Sequence, residues 1–207
     1  MSQVYVWDKF IRCFHWSLVT LFIVSYLTGD EWQSVHTLSG YAITALIAAR
    51  LIWGFIGSRY ARFSQFVKSP KDTINYLKDI FAGHPKRYLG HNPAGGAMVV
   101  AILITLSMTT LSGMKLLAVE EGEGPFADNS LNPSFTLIET AYADSDDDDH
   151  EYEHEENEEE EFWEEIHELS INLMLLLIVL HVIGVFIASK QHKESLVKAM
   201  VTGNKEE

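Results

Sequence analysis

EEFWEEIHELSINLMLLLIVLHVIGVFIAS, residues Glu160–Ser189, is the stretch whose reading decides the fold. From Glu168 onward it is apolar on every side and lacks the polar face that a surface helix of a soluble protein shows at helical spacing. Residues 168–189 are enough to cross a hydrocarbon core of about 30 Å. Two histidines mark the run, His167 and His181, fourteen residues apart. Fourteen steps of about 100° bring both imidazoles to one stripe of a helix, roughly 21 Å apart along its axis. A membrane helix with two strong metal ligands at two depths requires partners at those depths.

Three more segments are long and apolar enough to span: residues 10–28, 36–57 and 94–117. The stretches LITLSMTTLSGMKLL and NLMLLLIVLHVIGVFIA again show no polar face. The expected architecture is therefore all-α: an integral membrane four-helix bundle, up-down-up-down, formed as a single domain over residues 1–207. Composition agrees with it. The 207 residues carry a net charge of −14 although 47% of them are hydrophobic, a conflict for a soluble domain. A membrane protein with one acidic appendage resolves that conflict. Cys13 is the lone cysteine, which excludes an internal disulfide and a Cys-pair metal site. MSQVYVWDKFIRCFHW lacks the basic n-region, short apolar core and small-residue cleavage site of a signal peptide, so the first span is expected to be retained.

Basic residues set the orientation. Lys9 and Arg12 precede the first span, and Arg59, Arg62, Lys68, Lys71, Lys78, Lys86 and Arg87 lie between the second and third. Lys190, Lys193, Lys198 and Lys205 follow the fourth, whereas the third-to-fourth connection has no Lys or Arg after Lys115. Both termini are expected on the cytoplasmic side of a multi-pass membrane protein. In the inner connection, Ser69 is placed to cap a short helix opening at Pro70, and Asn92-Pro93 opens the third span in the same way. The outer connection, residues 118–165, holds 20 Asp or Glu and ends in DSDDDDHEYEHEENEEEEFWEE. So acidic a periplasmic insert is expected to be solvated and disordered, turning helical near Glu158.

The remaining histidines supply the partners. His15 lies near the inner end of the first span and His36 opens the second at the outer end. By depth His36 pairs with His167 outside, and His15 with His181 inside. Two axial histidine pairs at two depths describe two stacked, non-covalent b haems; with no C-x-x-C-H run, thioether attachment is excluded. A single histidine near a helix end is ordinarily an interfacial or hydrogen-bonding residue, and it is the four matched depths together that favour ligation. Arg50, fourteen residues after His36, shares its face at the inner depth. It either holds a haem propionate or snorkels to the inner interface. Gly40 and Gly184 follow His36 and His181 within a turn and admit either a flat macrocycle or a neighbouring helix, as do Gly95 and Gly96 in span three. His84 and His91 read as polar loop residues, His91 within reach of a haem edge or a quinone, and His192 as a surface residue. His150 and His154, four apart among carboxylates, suit loose binding of Zn²⁺, Cu²⁺ or Ni²⁺.

VWDKFIRCFHWS, VHTLSGY with ARLIWGFIGSRYARF, HNPAGGAM, and HELSINLMLLLIVLHVIG followed by LVKAMVTG resemble the prokaryotic cytochrome b561 family. That family includes the b-type cytochrome subunits of nickel–iron hydrogenases. The likeness covers nearly the whole chain apart from the acidic insert. It implies a four-helix membrane bundle with two b haems, and its axial ligands correspond here to His15, His36, His167 and His181. Irons with two histidine ligands each have no open position, so the chemistry would be one-electron transfer. The expected function is to carry electrons between the quinone pool and a periplasmic partner, a c-type cytochrome or redox enzyme subunit with a basic docking face. Two other classes compete: a quinone-coupled oxidoreductase acting on a small species such as superoxide, and a metal-ion transporter or sensor built on the His-acidic loop.

Overall fold

A computed structural model of the chain describes residues 3–29, 31–127 and 149–206; for 149–157 it describes the backbone alone. The elements run β1 (Gln3–Tyr5), α1 (Lys9–Thr28), α2 (Gln33–Ile56), a 3₁₀ turn (Arg59–Ala61), α3 (Phe63–Phe66) and α4 (Pro70–Phe81). They continue with α5 (Pro93–Glu120), α6 (Asp149–His192), α7 (Leu196–Thr202) and β2 (Asn204–Glu206). Helices α1, α2, α5 and residues 158–192 of α6 are each long and apolar enough to cross a membrane. All four expected spans are thus present, with bounds within three residues for the first three. The chain is a multi-pass membrane protein.

The capping chemistry read from the sequence holds. The Ser69 hydroxyl accepts the Asp72 N–H at 3.2 Å and Pro70 opens α4. Asn92 Oδ1 accepts the Gly95 N–H at 2.7 Å ahead of α5. Fixing one of the four orphan N–H groups at a helix start is what these side chains do best. One expectation changes. Helix α6 begins at Asp149, so the last part of the acidic insert is helical well before Glu158. Glutamate is a good helix former, and acidic residues at a helix N-terminus meet its positive dipole, so charge alone did not exclude helix. The rest of the insert, residues 128–148, lies outside the described residues.

The chain divides into two compact units. The first comprises residues 1–107 and 173–207. Its middle is a core of Ile43 and Ile47 from α2, Leu106 from α5 and Met174 from α6, with Leu18, Leu21 and Phe22 of α1 packed against it. Outward from that core the large side chains stay exposed, among them Leu51, Phe55, Leu176 and Phe186. Apolar groups facing outward from a thin core are what a lipid solvent permits.

At one end of this unit, a second core of Val6, Trp7, Ile11, Ala61 and Ala199 ties the chain's beginning to the 3₁₀ turn and to α7. Three-residue strands β1 and β2 pair antiparallel, Gln3 opposite Glu206. Gly203 allows their junction: its φ of +87° is left-handed, and a Cβ there would stand 2.7 Å from the Trp7 carbonyl oxygen. Glu194 accepts from Lys205 at 2.8 Å and from Arg87 at 3.1 Å, with only 4% of the Lys205 side chain and 9% of the Glu194 side chain exposed. Burial opposes the Glu194 charge, but the two cations hold its carboxyl below the usual range. The chain's two ends and the 58–92 connection therefore meet on the same side.

The second unit, residues 108–172, holds the end of α5 and the first part of α6. Within it Lys115 pairs with Glu159 at 3.2 Å, an exposed pair of small energetic weight.

Candidate functional site

His15 and His181 stand together. They belong to α1 and α6, and their ring centres are 6.5 Å apart with planes inclined at 47°. Trp16 sets its ring edge-on to His15 at 5.1 Å. Nδ1 of His15 is buried and makes no hydrogen bond among the described residues. An unpartnered polar atom in a membrane interior is costly, which marks this pair as built for something else.

The same unit sets Arg50 and His91 among aromatic side chains. Arg50 does not snorkel: the residue is 3% exposed. Its guanidinium packs on Phe63 and Phe66, 5.1 and 5.8 Å from the ring centres, and Nη2 donates to the Ala61 carbonyl at 3.1 Å. Nη1 is buried without a partner among the described residues. His91 does lie in a loop, but its ring is turned onto aromatic neighbours rather than left in solvent. Its ring lies 4.6 Å from Trp7 and 4.7 Å from Phe66, and its Nδ1 is likewise buried and unpartnered among the described residues. Burial, then the charges of Arg50, Lys205 and His181, push its pKa down to about 3. The sequence signal was thin, a histidine directly before a helix-opening Asn-Pro.

His36 and His167 are each locked by their own surroundings. His36 Nδ1 lies 2.9 Å from the Ser25 carbonyl oxygen and 3.3 Å from the Ser25 hydroxyl, both on α1. In the second unit, His167 Nδ1 lies 3.0 Å from the Thr109 carbonyl oxygen and 3.1 Å from the Ser112 hydroxyl. A carbonyl accepts only, so each Nδ1 donates, the hydrogen bond that in a metal-binding histidine orients the ring with Nε2 as the ligating atom. Gly113 lies beside the His167 ring; a Cβ there would stand 2.8 Å from Cε1. That glycine was invisible in the sequence.

The other glycines divide. A Cβ at Gly40 or Gly184 would meet nothing within 4 Å, so no neighbouring helix of the described structure uses that space. A Cβ at Gly96 would collide with the Phe66 carbonyl, so Gly96 serves the close packing of α5 against α3. A Cβ at Gly95 would come within 3.2 Å of Asn92 Oδ1, its own capping residue. Among the described residues no group of three or more His, Cys, Asp or Glu gathers for a metal ion. The side chains of His150 and His154 lie outside the described residues.

A family model for prokaryotic cytochrome b561 matches residues 6–203 of the chain. The chain belongs to the prokaryotic cytochrome b561 family. Its relatives include three proteins named as probable Ni/Fe-hydrogenase B-type cytochrome subunits. That of Azotobacter chroococcum is 26% identical over 61% of this chain and 65% of its own length. That of Rhodobacter capsulatus is 19% identical over 99% of this chain and 82% of its own. The Bradyrhizobium diazoefficiens protein is 20% identical over 98% and 86%. No solved structure matches the chain.

A b-type cytochrome takes non-covalent haem, and the side chains here fit it. Two imidazoles on one iron, with metal–nitrogen bonds of about 2 Å, place their ring centres roughly 6 Å apart. The 6.5 Å of His15 and His181 matches that spacing. A buried guanidinium edge with donors unspent suits a carboxylate such as a propionate. At His36 and His167 the Nδ1 hydrogen bonds to backbone carbonyls are of the kind that orient a haem-ligating histidine.

Proposed function

We propose that this protein is a dihaem electron-transfer subunit, the membrane partner of a redox enzyme of the hydrogenase kind named for its relatives. His15 and His181 would hold one b haem, and His36 and His167 the other. The inner assignment is supported by the 6.5 Å spacing of two rings on separate helices, one with a buried nitrogen left unpartnered. The outer assignment rests on matched depth in the sequence and on the Nδ1 lock that each ring carries within its own unit. Haem bound by two histidines supplies one-electron transfer and leaves no position for substrate.

The residues then divide the work. His15, His36, His167 and His181 bind and orient. The Ser25 and Thr109 carbonyls fix two of the rings and raise their basicity by accepting from Nδ1. Arg50, with Nη2 anchored on the Ala61 carbonyl and Nη1 buried without a partner among the described residues, would neutralise a propionate. Gly40 and Gly184 leave the flat face beside their histidines open. The bundle runs up-down-up-down with both termini cytoplasmic, a topology favoured by the shared end of the two termini and by the lysine and arginine bias. Electrons pass between the quinone pool and a periplasmic c-type cytochrome or enzyme subunit.

Counting haem per chain in single alanine variants of the four histidines is the test. Each variant should fall from two haems to one with helical content by circular dichroism unchanged. Two normal haems in any one of them would remove that residue from the ligand set. Gly113→Ala probes the same site gently. It should displace the His167 ring and lower outer-haem occupancy or shift its potential, and a wild-type spectrum and potential would show that the ring tolerates the methyl.

A further inference from the structure

Helix α4 joins two spans, yet it carries an apolar stripe of its own that points outward. Ile74, Leu77 and Phe81 are 52%, 41% and 90% exposed. At about 100° per residue they share a sector of about 60° with Pro70, while Lys71 and Lys78 line one shoulder of that sector. Asp72 and Asp79 fall roughly 150° from the stripe, and Tyr76 falls on the side that packs inward. Tyr76 is 4% exposed, which fixes the inward side by observation.

Two hydrogen bonds set the level of the helix. The Thr73 hydroxyl donates to the carbonyl of Pro93, the first residue of α5, at 3.5 Å. The Ile80 carbonyl accepts from Gln191 Nε2, in the last turn of α6, at 3.3 Å. Thr73 and Ile80 are roughly 10 Å apart along the α4 axis, so that axis runs from the start of one span to the end of another. Both span ends lie where the chain leaves the hydrocarbon, and a helix joining them lies along the membrane plane. At that level the continuous apolar phase available to a membrane-spanning chain would be the bilayer.

We propose that α4 is an interfacial helix, with Ile74, Leu77 and Phe81 seated at the acyl boundary and Lys71 and Lys78 against anionic lipid headgroups. The residue order matches that role: apolar stripe below, cations at its edge, carboxylates on the far side, and a buried tyrosine docking the helix to the protein. A soluble partner or a second copy of the chain would instead cover the stripe with protein.

The full-length protein in lipid nanodiscs distinguishes these occupants. With Cys13→Ser as background, a nitroxide is attached at Ile74→Cys, Phe81→Cys or Asp79→Cys, haem content serving as the check of folding. Labels at 74 and 81 should collide with oxygen and be shielded from a water-soluble nickel chelate, and the label at 79 should behave oppositely. Nickel access at 74 and 81 equal to that at 79 would put the stripe in water; shielding from both reagents would put it under protein. Either result overturns the proposal. The unmodified chain gives a second reading. Acylation of Lys71 and Lys78 by a water-soluble ester should be several-fold slower in discs containing phosphatidylglycerol than in discs of phosphatidylcholine alone. Equal rates would remove the anionic headgroup from the interface.

Discussion

His91 illustrates how much a single side chain owes to its neighbours. Alone, a histidine in a loop titrates near 6.5; here burial comes first, followed by the charges of Arg50, Lys205 and His181, and the ring stays neutral down to about pH 3. The linkage sign follows. Above pH 6.5 neither state binds a proton there, and below it the unfolded chain does so while the folded chain does not. Stability therefore declines between about pH 6.5 and about 3 as the pH falls. Between pH 7 and 5 the decline amounts to at most about 2 kcal/mol. Thermal unfolding of wild type and His91→Gln at pH 7 and pH 5 measures it: the midpoint of the wild type should drop further. Equal drops would mean that the ring already reaches solvent protons. Depth along a helix made His15 and His181 readable from spacing, because a fixed rise per residue converts sequence distance into position. No such rule places His91 between Trp7 and Phe66, or Gly113 beside His167, since those contacts join elements distant in sequence.

At the scale of elements, the spans were legible because hydrocarbon imposes length and apolarity together, leaving few alternative readings. The caps of α4 and α5 were legible because Ser-Pro and Asn-Pro carry local chemistry. What the sequence hid was how α1 starts. Asp8 accepts the Ile11 N–H at 2.9 Å as N-cap, the Trp53 indole N–H at 3.1 Å and the Ser58 hydroxyl. Burial alone would raise its pKa, but the hydrogen bonds from Ser58, Ile11, Trp53 and Phe10 bring it below 3.8, so the carboxylate stays charged across the neutral range. A cap of α1 thus also clamps the end of α2, a job no local motif announces. Asp8→Ala should destabilise by about 1–2 kcal/mol, and Asp8→Asn, which keeps one acceptor for the cap, by less. Thermal midpoints in detergent, with Trp53 emission as a local probe, give the comparison; an alanine variant as stable as wild type would show the clamp to be incidental. The three-residue strands β1 and β2 were equally hidden, being too short for any periodicity to register.

Across the whole molecule the charges are sorted rather than mixed. The net charge is −14, and 20 of the 29 acidic residues fall in residues 118–165, while the connection between the second and third spans carries seven of the 15 basic ones. Such segregation does two jobs. In the proposed topology the basic side would match the inner leaflet during insertion. The acidic segment creates a field that reaches about 8–10 Å at physiological salt and can concentrate a cationic redox partner before any contact forms. Because that field acts on encounter rather than on the docked complex, its signature is kinetic. Replacing the Asp and Glu residues from Asp144 to Glu158 by Asn and Gln leaves the Lys115–Glu159 pair in place. With a small basic c-type cytochrome as electron acceptor, the second-order rate at low ionic strength should fall by about tenfold or more, and its salt dependence should flatten. The rate at high salt should barely change, since screening already removes the field in the wild type. If rate and salt slope were the same in both proteins, the acidic segment would have no steering role, and a partner would have to recognise the outer face by shape and apolar contact instead.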